Sequence, residues 1–198
     1  MSERQTAVRD LSDEELIANF QRGDVAAFNV LVGRYKDQLM NFVFRYLGSY
    51  DEADDVVQET FVRVYRNKQS YQPIAKFSTW IYTIATNLAK TQLSRRKRHM
   101  WFSLSRKSDE NEEKVFEIPD SRYSPDGETE RSMQQEMIQN ALNSLPDKFR
   151  ETVVLFDIQE RTYEEICEIT GLPIGTVKSR LNRGRERLRK LLKDLMNE

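Results

Sequence analysis

Apolar residues recur at intervals of three and four along most of the chain, first as Leu16, Ile17 and Phe20, then as Phe28, Leu31, Val32, Tyr35 and Leu39. That spacing keeps each set on one face of a 3.6-residue helix. Ser12-Asp13-Glu14-Glu15 is a capping box that opens the first helix. Asp24, after the Gly23 break, is the expected N-cap of a second helix that runs through Phe42, Val43 and Tyr46 and ends at Gly48. A third stripe (Val56, Val57, Thr60, Phe61, Val64) covers Asp51 to Gln69, and a fourth (Trp80, Ile81, Ile84, Ala85, Leu88) covers Phe77 to about Arg98. From 103 to 130 the periodicity stops. Ser, Asp, Glu, Asn, Pro119, Pro125 and Gly127 take over, with nine acids against four bases, the composition of a flexible linker. Periodicity returns with Met133, Met137, Ile138, Ala141 and Leu142. It resumes with Phe149, Val153, Val154 and Phe156 behind Pro146, the expected first residue of its helix. A second capping box, Thr162-Tyr163-Glu164-Glu165, opens a short helix to Thr170. After Gly171-Leu172-Pro173 a last helix runs from Ile174 to about Met196. The expected fold is all-α, with two small helical domains, 10–102 and 131–198, joined by the acidic linker 103–130.

Composition narrows the class without naming a partner. Among 198 residues, 31 Lys+Arg stand against 32 Asp+Glu, so net charge is silent and charge placement has to speak. Seven Gly and five Pro are too few turn-makers for a sandwich or barrel that turns every 8 to 12 residues or so. The single cysteine, Cys167, excludes an intrachain disulfide framework and a Cys-rich zinc site; its apolar phase points to a core position. The start MSERQTAVRD lacks the apolar core of a secretory signal, and no run of about 18 apolar residues exists. A cytoplasmic protein without membrane insertion is expected. His99 is the only histidine, Cys167 has no local His partner, and there is neither a phosphate-cradling Gly-rich loop nor metal-ligand spacing. No catalytic residue, cofactor or metal is expected.

Three segments carry the candidate chemistry. Thr162 to Arg187 reads as a helix, a short turn holding Gly171, and a second helix, the helix-turn-helix pattern. From Thr176 to Lys193 there are eight bases and one acid, the footprint of a phosphate backbone; a merely solvated basic face is the alternative. Arg95-Arg96-Lys97-Arg98 forms a second basic cluster, expected at a helix C-terminus, where cations also favour the dipole. The same helix carries Trp80, Tyr82, Thr86, Asn87 and Lys90. Rings and amides among bases suit unpaired nucleobases, although the phase of Trp80 with Ile81, Ile84 and Leu88 equally suits a core. Finally, residues 51–59 hold five acids and no base, more than capping requires, and suit a basic protein surface.

Together these residues resemble the sigma-70 family of RNA polymerase sigma factors, in its small extracytoplasmic function (ECF) type, over nearly the whole chain. Gly23-Asp24 with Ala27-Phe28 is similar to the family's first conserved helices. Asp54-Asp55-Val56-Val57-Gln58-Glu59-Thr60-Phe61 resembles its polymerase-clamp contact, and Phe77 to Asn87 (FSTWIYTIATN) its −10 melting segment. Tyr163-Glu164-Glu165-Ile166, Gly175 to Leu181 (GTVKSRL) and Arg183-Gly184-Arg185 resemble its −35 helix-turn-helix. Cys167 and Gly184 depart from the alanines usual there. The resemblance implies a sigma region 2-like domain and a region 4-like domain. It places Asp54, Asp55, Gln58 and Glu59 at core RNA polymerase, and Trp80, Asn87, Lys90, Arg95 and Arg96 at single-stranded −10 DNA. Thr176, Lys178, Ser179, Asn182 and Arg183 fall at the −35 duplex. It also implies regulation by an anti-sigma factor. Two rival classes stay open on the residues alone. A stand-alone helix-turn-helix regulator leaves the acids at 51–59 unexplained, and a nucleic-acid enzyme would need a carboxylate or His/Cys cluster that the sequence does not assemble.

Overall fold

The computed structural model describes residues 10–107 and 129–195, with side chains over 10–101 and 133–193. The described residues are helical, without strands: α1 (Asp13–Gln21), α2 (Val25–Leu47), α3 (Tyr50–Arg66), α4 (Phe77–Lys107), α5 (Thr129–Asn143), α6 (Asp147–Val153), α7 (Tyr163–Thr170) and α8 (Ile174–Leu195). A 3₁₀ turn, Lys68–Ser70, follows α3, and a π-helical turn, Val154–Ile158, follows α6.

Local chemistry starts and stops these helices. In both expected capping boxes the hydroxyl of Ser12 or Thr162 accepts the N–H three residues on, and the Glu carboxylate accepts the cap's own N–H. The Asp24 carboxylate accepts from the Ala26 N–H at 2.9 Å. Gly48 ends α2 at φ +76°, and a Cβ there would collide with the Asn143 carboxamide, so both conformation and the approach of α5 require glycine. Pro146 sits one residue earlier than expected, as the N-cap of α6.

The fourth helix departs most from expectation. It passes Arg98 and continues to Lys107, five residues into the expected connecting segment. Nothing from Arg98 to Lys107 is Gly or Pro, so nothing breaks the hydrogen-bond ladder. Arg95 to Arg98 therefore lie inside the helix, and the helix dipole does not account for them. The rest of that segment, 108–128, lies outside the described residues, as do residues 1–9 and 196–198.

Packing joins both groups of helices around one continuous core. Leu16, Phe20, Leu31, Leu39, Phe42 and Ile81 from the first group, and Leu142, Leu145, Val153–Leu155, Ile166 and Leu181 from the second, are all buried in it. Phe77 is ringed by Tyr35, Tyr71 and Trp80 at centroid distances of 5.4, 5.9 and 5.9 Å. Its backbone N–H donates to Glu14 Oε1 at 3.1 Å, which anchors the start of α4 on α1.

Between the groups, Arg150 is buried. Its guanidinium donates to the carbonyls of Tyr46 (2.8 Å), Asn143 (2.7 Å) and Leu145 (3.0 Å). Those oxygens lie at or just past the C-terminal ends of α2 and α5, where helices leave carbonyls without partners. Arg96 serves the same end of α2 through the Leu47 carbonyl.

Candidate nucleic-acid and polymerase interfaces

On α8, Val177, Leu181 and Gly184 are buried on one side, spaced so that Ser179, Asn182 and Arg183 project from the other into solvent. A Cβ at Gly184 would press on Val153 and Phe149, so the glycine lets α8 close on α6. Lys178 flanks the exposed face on one side, its ammonium 5.4 Å from the Tyr163 ring centroid, and half-buried Thr176 flanks it on the other.

Thr176, Ser179 and Arg183 share a depression of about 400 Å³ with Arg180, Gly175, Lys148 and Phe149. Lys148 and Arg180 are cationic members of this site that sequence reasoning did not single out. Arg180 disappears into the general run of bases, and Lys148 belongs to another helix. Within α8, the Arg185 guanidinium grips the Asp157 carboxylate through Nε at 3.0 and 3.1 Å and lies 5.0 Å from the Phe156 ring centroid. Its placement is structural, and the hydrogen bond from it to Asp157 raises its pKa further.

The start of the helix-turn-helix is set by Glu165. Burial pushes its carboxyl up, but the Thr162 backbone N–H and the Lys76 ammonium outweigh burial and hold it below the ordinary carboxylate range. A carboxyl depressed in the folded chain adds stability that is complete above that range and is lost as pH falls through it. Glu165→Gln should flatten this acid limb of a urea-midpoint-versus-pH curve, and Thr162→Ala should cost about 1 kcal/mol.

Along α4 the expected −10 residues separate. Trp80 is half-buried against Tyr71 and Phe77, so the packing reading accounts for part of it. Asn87, seven positions on and therefore on the same side, is exposed. Lys90, on the flank, lies 2.7 Å from Glu151 of α6. Arg95 is exposed, whereas Arg96 is turned toward α3, with Glu52 at 3.1 Å.

On α3, Val57 and Val64 are buried and Phe61 half-buried, while Asp55 and Gln58 are exposed. Asp54 accepts from Gln58 Nε2 at 2.6 Å, and Glu59 pairs with Arg63 at 2.9 Å. Only Asp51 and Glu52 sit in the first turn, so the helix dipole explains those two and not the other three acids. Cys167 is partly buried against the core. Among the described residues no group of three His, Cys, Asp or Glu is placed to hold a metal, and no helix is long and apolar enough to cross a membrane.

Comparison with known proteins follows the same division. A sigma-70 region 2 family model matches residues 31–99, and a sigma-70 region 4 model matches 135–188. The chain is 38% identical to the ECF RNA polymerase sigma factor SigW of Bacillus subtilis, over 90% of this chain and 96% of that one. It is 33% identical to the ECF RNA polymerase sigma-E factor of Haemophilus influenzae, over 94% and 98%. Among solved structures it is similar to the sigma factor RpoE of Bartonella quintana in complex with the anti-sigma factor NepR. That match has a TM-score of 0.64 at 27% identity, over 84% of this chain and 96% of that one. CnrH in complex with the cytosolic domain of CnrY, at 22% identity and a TM-score of 0.68 over 92% and 97%, shares the fold.

Proposed function

Because the chain belongs to the ECF RNA polymerase sigma factors of the sigma-70 family, promoter-recognising factors of transcription initiation and not enzymes, we propose a division of that work among its side chains. Residues 10–102 form the half that binds core polymerase and opens the −10 element, and residues 131–198 the half that reads the −35 element. Asp54, Asp55, Gln58 and Glu59 meet the polymerase. Asn87 takes up an extruded −10 base beside Trp80, with Lys90 and Arg95 on the neighbouring phosphates; Arg96 joins them only by leaving Glu52. Ser179, Asn182, Arg183 and Lys178 enter the −35 major groove, and Thr176 holds a phosphate. The chain acts in the cytoplasm, where polymerase and chromosome are. An anti-sigma factor holds it inactive, as NepR is bound to the similar RpoE.

The observation that carries this reading is the α8 face. Exposed Ser179, Asn182 and Arg183 are backed by buried Val177, Leu181 and Gly184, so the polar side chains stand clear of the domain at a helix's width, which the major groove admits. Runoff transcription with added core enzyme on a promoter library tests it, because initiation and both recognition elements are read together. Transcripts that start only with the chain present, at promoters sharing two spaced elements, are expected.

Two side-chain predictions follow. Arg183→Ala should cost about 1 to 3 kcal/mol and relax preference at one −35 base pair; an equal loss on every sequence would make Arg183 a phosphate contact. Asn87→Ala should leave core binding intact and weaken capture of single-stranded −10 DNA, because an amide that bonds a flipped base acts only after the base leaves the stack. Parent-like affinity of that variant for the single strand would remove Asn87 from the site.

A further inference from the structure

The last turns of α4 leave the core and carry a free, basic and aromatic face. Leu93 is the last buried residue of α4 among the described side chains, and every position from Ser94 to Trp101 is exposed. The backbone nevertheless stays helical to Lys107, about 21 Å past Leu93 at about 1.5 Å per residue. None of the 31 residues of α4 is acidic and seven are Lys or Arg, in a chain whose net charge is −1. Those cations are sorted by side. Lys90, Arg96 and Lys97 pair with Glu151, Glu52 and Asp147 of neighbouring helices. Arg95 and Arg98 are exposed and have no acidic partner among the described residues. Asn87, Thr91, Ser94, Arg98 and Trp101 recur at intervals of four and three, so they share one face, opposite buried Ala85, Ala89 and Leu93. The Thr91 and Ser94 hydroxyls donate back to the Asn87 and Lys90 carbonyls at 2.8 and 2.9 Å. The middle of the face is therefore low, and a DNA strand can lie close to the helix between Asn87 and the Arg98–Trp101 pair. Trp101 is 72% exposed, a large ring with little of its own chain to cover it.

We propose that Arg98 and Trp101 hold the promoter duplex just upstream of the opened −10 element, Arg98 on a backbone phosphate and the Trp101 ring against the neighbouring sugars. The inference rests on the reading of Asn87 as the amide that takes up a −10 base and goes beyond it, because the −10 and −35 assignments leave the duplex between the two elements without a contact. The chain leaves α4 toward the half that reads the −35 element, which lies upstream of the −10 element, so along a bound promoter Arg98 and Trp101 fall on the upstream side of Asn87. They are eleven and fourteen positions past it. That is about 16 and 21 Å of helix, or about five to six base pairs at about 3.4 Å per pair. Guanidinium matches phosphate in geometry and charge, and indole offers a flat apolar face to deoxyribose with one N–H for a phosphate oxygen. An anionic membrane surface is the rival partner for bases beside an exposed Trp. A helix that lies in a membrane interface needs an apolar face, and here the stripe from Asn87 to Arg98 is polar throughout, which favours DNA.

The test uses the full chain with core polymerase, on promoters recovered by runoff transcription from the library. Permanganate marks the melted thymines, and hydroxyl-radical cleavage reads the sugars upstream of them. In the parent complex, sugars about four to seven base pairs upstream of the melted edge should be protected, as the length of α4 past Asn87 requires. Trp101→Ala should expose those sugars and lower the runoff yield about fivefold, the low end for losing an aromatic contact with nucleic acid. Trp101→Phe, which keeps a ring, should stay close to the parent. Arg98→Gln should reduce the slope of log affinity against log salt by about one, the signature of one lost phosphate contact. Met100→Ala, an exposed apolar neighbour about 100° around the helix from Trp101, should match the parent. Unchanged upstream cleavage in Trp101→Ala overturns the proposal, and normal permanganate reactivity in the same complex leaves the Asn87 assignment standing. Unchanged cleavage together with binding of the parent, but not of Trp101→Ala, to phosphatidylglycerol vesicles overturns it in favour of a membrane surface. If no library promoter yields a transcript that depends on the chain, the proposed function falls and this inference falls with it.

Discussion

Asp55→Lys combined with Glu59→Lys should abolish co-purification with core RNA polymerase while circular dichroism and duplex binding through α8 stay at parental levels. The two positions are four apart, one above the other on the α3 face opposite buried Val57 and Val64, and Asp54 with Gln58 forms the adjacent row. Association between charged surfaces is steered by just such exposed groups, so reversal both removes attraction and adds repulsion. The competing account, that the acids serve only α3 itself, predicts a different pattern. Glu59 does pair with Arg63 at 2.9 Å, but an exposed pair at that spacing is worth only about 0.3–0.5 kcal/mol. Asp55 lies beyond the first turn, where the helix dipole contributes no more than about 1 kcal/mol. Reversal should therefore lower stability by about 1 kcal/mol or less, against complete loss of polymerase binding. A double variant that still co-purifies with polymerase and is only slightly less stable would remove the polymerase assignment from α3 and favour a stand-alone DNA-binding regulator.

What the sequence made legible was whatever depends on near neighbours. Ser12 and Glu15, like Thr162 and Glu165, are three apart, so both capping boxes could be read directly and both formed. The amphipathic stripes of α1, α2 and α3 gave their buried faces for the same reason. The end of α4 was not legible, because a helix stops at Gly, Pro or a capping residue, and a run of arginines is none of these. The π-helical turn at Val154–Ile158 hides in an apolar stretch that any helix would show. Least legible were the contacts at long range. Glu151 reads as a polar interruption of the Phe149–Leu155 run, and only folding brings it to Lys90, 61 positions earlier in the chain. Lys148 likewise joins the α8 depression across two helices. Charge counts located the basic regions but said nothing of which bases were already paired, and that distinction separates exposed Arg95 from Arg96 on Glu52.

Arg150→Met should destabilise the chain by about 3 to 5 kcal/mol in urea unfolding, the range for breaking a buried charged network. Methionine fills similar volume and supplies no donor, so the carbonyls of Tyr46, Asn143 and Leu145 would lose their partner together. Each such loss is worth about 1–3 kcal/mol where water cannot enter. Burial presses the guanidinium pKa down, with Asp147, 3.9 Å away, acting in the opposite sense. Arg150→Lys should recover only part of the loss, since one ammonium cannot reproduce a planar fork that serves two helix ends. Two of the three carbonyls belong to the second group of helices, in and just beyond α5, and one to α2 of the first, so the guanidinium ties both groups together and its loss should be felt in both.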